Sequence, residues 1–190
     1  AKVLGVYIWV GIFATGLTMT FITRNPDAIK PTVVQDAHLM QIIADVGGDP
    51  AKLKDVSVKY VPDYKDGFKN QAGEYSSAED SKGKFSYGTM TIKQGLDTEE
   101  EKAVVAHEYL HHIWFSELEH DQVAVRDLTS QLMTLYGQDE WFKTRVAIYS
   151  DTNMLIPTEL FSFYCTESSD QYLTPYVIEQ CNKYINRSTL

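Results

Sequence analysis

Residues 104–114 read VVAHEYLHHIW, an apolar run that carries three histidines and a glutamate. The apolar side chains recur at helical spacing, so the run predicts a helix that ends near residue 117. His107 and His111 are four residues apart and therefore share one face of this helix. Histidines on an apolar face need hydrogen-bond partners. We therefore expect the fold to bring another group to them, and one metal ion would satisfy both.

Glu108 follows His107 directly, so the run contains the pattern H-E-x-x-H. Helix geometry turns Glu108 about 100° from His107, which places its carboxylate beside a bound metal ion. From there it can accept a proton from a water on the metal. The pattern predicts Zn2+ bound by His107 and His111, with Glu108 as general base. His112 points about 100° away from His111 and is expected at the surface or behind the ligands.

Catalytic zinc takes three protein ligands and keeps one position for water. The predicted third ligand is Glu159, in a helix expected to begin after Pro157, because a carboxylate among apolar neighbours is costly without a positive partner. A glutamate in the first turn of a helix is also favoured by the helix dipole alone. Glu117 is the competing carboxylate. For Glu117 to reach the metal, the helix would have to end soon after His111, usually at a glycine three residues later. Trp114 stands at that position and continues the helix, so Glu117 is expected to point to solvent.

Residues 3–22 contain no charged side chain. A run of about 20 such residues is long enough for a helix that crosses a bilayer. Residues 1–24 are therefore predicted to be an apolar membrane anchor, with the protein membrane-anchored outside the cytoplasm or secreted. Two alternatives remain, a strand pair or helix buried within the fold and a signal-like segment, although no A-x-A cleavage site follows the run.

The remaining residues, 25–190, are predicted to form one α+β domain. We expect a small strand-bearing N-terminal lobe that includes the motif helix, and then a mostly helical C-terminal lobe. Residues 62–83 are polar and glycine-rich and predict an exposed loop. The expected strands are 56–61 and 84–92, and the expected helices are 32–48, 98–117, 121–137, 139–149, one that starts after Pro157, and 174–186.

Charge and cysteine content limit the partners. The formal charge is −9, and nucleic acid is excluded as an expected partner because phosphate binding needs a basic face. The expected partners are a peptide or protein substrate and, through residues 3–22, a membrane. Cys165 and Cys181 can form one disulfide in an exported protein or remain two small buried apolar residues.

HEYLH followed by a distant helical glutamate resembles the gluzincin metallopeptidases. Within this group, YSDTNMLIPTELFSFYCTE, residues 149–167, is similar to the catalytic domains of bacterial peptidases of the anthrax toxin lethal factor type. In those domains a tyrosine precedes a glutamate that is followed by two apolar or aromatic residues. The resemblance covers about residues 85–187, and the two short motifs carry its specificity.

The resemblance implies a zinc-dependent endopeptidase whose metal ligands are His107, His111 and Glu159. It also implies Glu108 as general base and Tyr149 as the phenol that stabilises the oxyanion. Residues 25–190 would then be the metallopeptidase domain. The alternative function is an inactive zinc-holding module for binding or assembly at a membrane.

Three details of the resemblance need testing. Tyr149 lies farther from Glu159 than the family pattern has it, and Tyr136 is the alternative phenol. Phe163 stands where thermolysin-type enzymes carry an aspartate that orients a histidine, so another group must take that role. The strand at YGTMTI is expected to be an edge strand that pairs with an extended substrate.

Overall fold

The structure is a computed structural model of the α+β class, as predicted. Its strands are β1 (Val6–Ile12), β2 (Leu17–Thr23), β3 (Val56–Val61), β4 (Gln71–Glu79) and β5 (Phe85–Lys93). Its helices are α1 (Ala37–Asp45), α2 (Thr98–Ser116), α3 (Gln122–Gln138), α4 (Ile156–Thr166) and α5 (Pro175–Asn182). The residues that the structure describes are 6–12, 17–23, 36–62, 71–80, 82–140, 142–143 and 156–190.

One five-stranded sheet contains all five strands, in the order β1-β2-β4-β5-β3. β1 and β2 are antiparallel, as are β4 and β5, whereas β2 runs parallel to β4 and β3 parallel to β5. The predicted strands at 56–61 and 84–92 are confirmed as β3 and β5. The expectation that the strand containing YGTMTI lies at the edge of the sheet is wrong. This strand is β5, which is hydrogen-bonded to β4 on one side and to β3 on the other.

Residues 62–83 were expected to be a loop, and that prediction is wrong for strand β4. The segment looks polar, but Ala72, Tyr75 and Ala78 are buried. β2 and β5 pair with β4 on both sides. Strand formation depends on such neighbours more than on the intrinsic preference of a residue, so a small polar segment can become a central strand.

The prediction of a membrane-crossing helix over residues 3–22 is wrong. The segment contains strands β1 and β2, which pair with Val6 opposite Thr23. The strand-pair alternative describes this segment. Its valines, isoleucines, threonines and aromatic residues favour strands, a preference that a length criterion for helices does not register. Within the ranges described, no helix is both long enough and apolar enough to cross a membrane.

Helix α2 lies between the sheet and helix α4, and it contacts both. It begins at Asp97, whose side chain accepts hydrogen bonds from the backbone of Glu99 and Glu100, and the Glu100 carboxylate completes a capping box. Every residue from Val104 to Phe115 is buried. Residues 104–115 of the motif helix are therefore enclosed on all sides and not only along one stripe.

Helix α4 is held at its C-terminal end by two independent contacts. Buried Cys165 forms a disulfide with buried Cys181 of α5, which settles the alternative left open for the two cysteines. Arg187 donates hydrogen bonds to the carbonyl oxygens of Tyr164 and Cys165, at 2.5 and 2.7 Å, and pairs with Asp170. These contacts fix the end of α4 against the C-terminal residues.

We predict that the double variant Cys165→Ser/Cys181→Ser unfolds at a lower urea concentration. The disulfide closes a loop of 16 residues, and its loss should lower the free energy of unfolding by about 3 kcal/mol. Wild-type protein treated with a thiol reductant is the matched control and should show the same shift. An unchanged urea midpoint in both samples would contradict the prediction.

Candidate metal centre

The three predicted metal ligands come together in the core. His107 and His111 lie on α2, and Glu159 lies in the first turn of α4. The two imidazole Nε2 atoms are 3.0 Å apart, and the Glu159 oxygens lie 3.4 Å from His107 Nε2 and 3.2 Å from His111 Nε2. The exposed fractions of the three residues are 1%, 0% and 3% in chain order. One ligand atom from each residue lies within 4.8 Å of the others, so the group could hold a metal ion.

The chemistry of these donors fits a cation. A single proton can join the two Nε2 atoms of His107 and His111, whereas a metal ion accepts a lone pair from each. The buried Glu159 carboxylate also needs positive charge beside it, since an isolated buried anion is costly. Two imidazole nitrogens and one carboxylate oxygen are a common ligand set for metals that catalyse hydrolysis.

The surroundings of Glu159 keep its carboxylate ionised. Burial acts to raise its pKa, but the charges and hydrogen bonds of His107 and His111 together outweigh burial and lower the pKa to about 2. At neutral pH the residue is therefore an anion, which is the form that binds a metal.

Thr158 supplies an orienting contact that the sequence did not predict. Its hydroxyl lies 2.9 Å from His111 Nδ1, and Thr158 is buried. When a metal ion is bound, Nδ1 would carry the proton and donate to this hydroxyl, which leaves the lone pair of Nε2 for the metal. Phe163, at the position of the missing aspartate, stacks on the ring of Phe142 instead. Thr158 adjoins Glu159 in sequence, and this was the only signal of its role.

Glu108 lies on the same helix as the two histidines and is completely buried. Its carboxylate oxygens have no hydrogen-bond partner in the part of the chain that the structure describes. Burial, followed by the negative charges of Glu159 and Glu74, raises the pKa of Glu108 well above its usual value. A raised pKa makes the carboxylate a stronger base once it is ionised, and the positive charge of a metal ion bound nearby would favour the ionised form.

His112 is not at the surface, contrary to one of its two expected positions. It is buried, its Nε2–H donates to the carbonyl oxygen of Lys52 at 2.9 Å, and its Nδ1 accepts from the Tyr75 hydroxyl at 3.0 Å. Burial lowers its pKa to about 4, so the ring is neutral. Residues 104–115 of α2 are buried on every face. The His112 side chain, which points away from His107 and His111, therefore meets the sheet and not solvent.

Three further candidates were named from the sequence: Glu117, Tyr149 and Tyr136. Glu117 ends α2 and forms an ion pair with Lys52, and it is not part of the group formed by His107, His111 and Glu159. Tyr149 lies outside the described residues, and its role stays a prediction. The ring of Tyr136 packs edge-on against Phe142, with 5.9 Å between centroids.

We predict that His107→Ala and Glu159→Ala each weaken zinc binding by roughly 100-fold or more, a loss at least as large as that from removing an orienting partner. Glu117→Ala is the matched control, because it removes a glutamate at the end of the same helix and should leave zinc binding unchanged. The measurement is zinc content after equilibrium dialysis at a fixed free zinc concentration. Loss of zinc in Glu117→Ala with retention in Glu159→Ala would refute this assignment.

We also predict that Thr158→Val binds zinc about 10-fold to 100-fold more weakly than wild type, because valine keeps the shape but not the hydroxyl that orients His111. Thr158→Ser keeps the hydroxyl and should bind zinc nearly as well as wild type. Competition with a chromogenic chelator gives both affinities. Equal affinities for the valine and serine variants would show that the hydroxyl does not orient His111.

In comparisons with known proteins, no family model, no curated protein and no solved structure matches the chain.

Proposed function

We propose that the protein is a zinc-dependent endopeptidase of the gluzincin type that uses Glu108 as its general base. The observation that carries this proposal is the convergence of His107, His111 and Glu159 in the core, with Glu108 buried on the same helix. A metal site without hydrolytic use has no need of Glu108. Burying a carboxylate without a hydrogen-bond partner is costly, so its position supports a chemical role.

The donor set favours zinc among the common metals. Magnesium and calcium prefer oxygen ligands throughout, whereas two imidazoles with one carboxylate are typical of catalytic zinc. Zinc held by His107, His111 and Glu159 would lower the pKa of a water and polarise the carbonyl of the peptide bond. The low pKa of Glu159 keeps that ligand anionic, and Thr158 keeps the His111 ring in place.

Glu108 performs the proton transfers in this proposal. Its carboxylate takes a proton from the attacking water and then passes the proton to the nitrogen of the leaving amine. Burial raises the proton affinity of the carboxylate, which supports the first of these steps. Tyr149 is proposed, from the resemblance to the peptidases, to donate a hydrogen bond to the oxyanion.

The proposed substrate is a peptide or protein outside the cytoplasm. The buried disulfide between Cys165 and Cys181 supports this location, since disulfides persist in oxidising compartments. Membrane attachment and secretion are both compatible with this location.

The direct test compares zinc-loaded wild type with Glu108→Gln on a mixture of peptides. We expect the variant to bind zinc as wild type does and to lose about 10²- to 10⁴-fold in kcat, the usual contribution of general acid–base catalysis. Glutamine keeps the size of the side chain, so stability should change little.

The matched control is Glu117→Gln, which should cleave peptides at the wild-type rate. Equal rates for Glu108→Gln and wild type would remove Glu108 from the mechanism. A zinc-loaded wild type that cleaves no peptide would instead favour the inactive zinc-holding module.

A further inference from the structure

Strand β4 carries a glycine, Gly73, at the place where the strand lies against helix α2. Gly73 is paired on both sides, opposite Thr18 of β2 and Ile92 of β5. Tyr75, two residues on, projects from the same face of the strand, and its hydroxyl contacts His112 of α2. This face of β4 is therefore the one that meets the motif helix.

A side chain at position 73 would collide with Glu108. A Cβ atom built there would lie 2.5 Å from Glu108 Oε1, 3.0 Å from Glu108 Cγ and 2.7 Å from Cγ1 of Val104. Non-bonded carbon atoms favour separations of about 3.5–4.0 Å. The backbone angle of Gly73 is not among the positive φ values, so space and not backbone conformation is what requires glycine here.

The Glu108 carboxylate is the group that would move if a side chain were present. The backbone at position 73 is held by strands on both sides, and a valine such as Val104 is stiff about its first side-chain bond. Glu108 has the longer and more flexible side chain, and its end is nearest to the added atom. The contact with Glu108 would be relieved by displacing its side chain. The contact with Val104 does not involve the carboxylate and is the same whether or not Glu108 is present.

We propose that Gly73 is a positioning residue that sets where the Glu108 carboxylate lies. The missing side chain of Gly73 is the space that the carboxylate fills. The effect on catalysis rests on the function proposed above, because Glu108 must be the general base for its position to control the rate. The contact itself does not depend on that function.

Gly88 of β5 provides a matched control. A Cβ atom there would collide with the hydroxyl of Tyr75 and come within 2.9 Å of its ring. Gly88→Ala therefore also crowds a buried side chain at the interface between the sheet and α2. The crowded group is a rigid ring that hydrogen-bonds His112, and none of the nearest atoms belongs to Glu108.

The test is a double-mutant cycle measured as Tm on the full, zinc-loaded chain. We expect Gly73→Ala to lower Tm by about 5 °C in the presence of Glu108 and by clearly less in a Glu108→Ala background, where the collision with the carboxylate is absent and the contact with Val104 remains. Gly88→Ala should lower Tm equally in both backgrounds. Equal shifts for Gly73→Ala in both backgrounds would overturn the proposal.

Kinetics supply the second readout. In Gly73→Ala we expect zinc content and KM to stay as in wild type and kcat to fall roughly 100-fold, the cost of misplacing a catalytic group by about 1 Å. Glu108→Asp, which is one methylene shorter, should cost less activity in the Gly73→Ala protein than in wild type. A kcat unchanged by Gly73→Ala in an active enzyme would also overturn the proposal, whereas an inactive wild type would refute the proposed function and leave the Tm cycle to decide on Gly73.

Discussion

The contact between the Glu159 carboxylate and the imidazoles of His107 and His111 is the interaction on which the site depends. It joins the first turn of α4 to the middle of α2, at a depth where an uncompensated charge costs several kcal/mol. The carboxylate can lie there because its partners supply positive charge or hydrogen bonds, and a bound cation would supply further positive charge. The position of α4 against α2 and the ability to hold a metal are therefore consequences of the same contact.

The rest of the structure limits the motion of that contact. Thr158 holds His111 from the side of α4, and the capping box at Asp97 begins α2 at a defined residue. The far end of α4 is held by the disulfide and by Arg187. On the sheet side, Gly73 allows β4 to approach Glu108 closely. The candidate metal ligands and the proposed general base thus belong to helices that are fixed at several places.

The site could be predicted from the sequence more fully than the fold, for a physical reason. The spacing in HEYLH and the cost of burying Glu159 are properties of short segments, and both are visible without knowing the neighbours. Strand β4, the strand pair at the N-terminus and the inner place of β5 in the sheet depend on which segments pair. The contacts of His112, Thr158 and Gly73 join elements distant in sequence, so no local pattern predicted these partners.

The measurement that tests the central claim most directly is X-ray absorption at the zinc edge of the zinc-loaded protein. We predict a first shell with two imidazole nitrogens and carboxylate and water oxygens, at the Zn–N distance of about 2.0–2.1 Å that is typical of histidine ligands. The spectrum of His111→Ala should lose one imidazole. A zinc shell without two imidazoles in the wild type, or one unchanged by His111→Ala, would contradict the account.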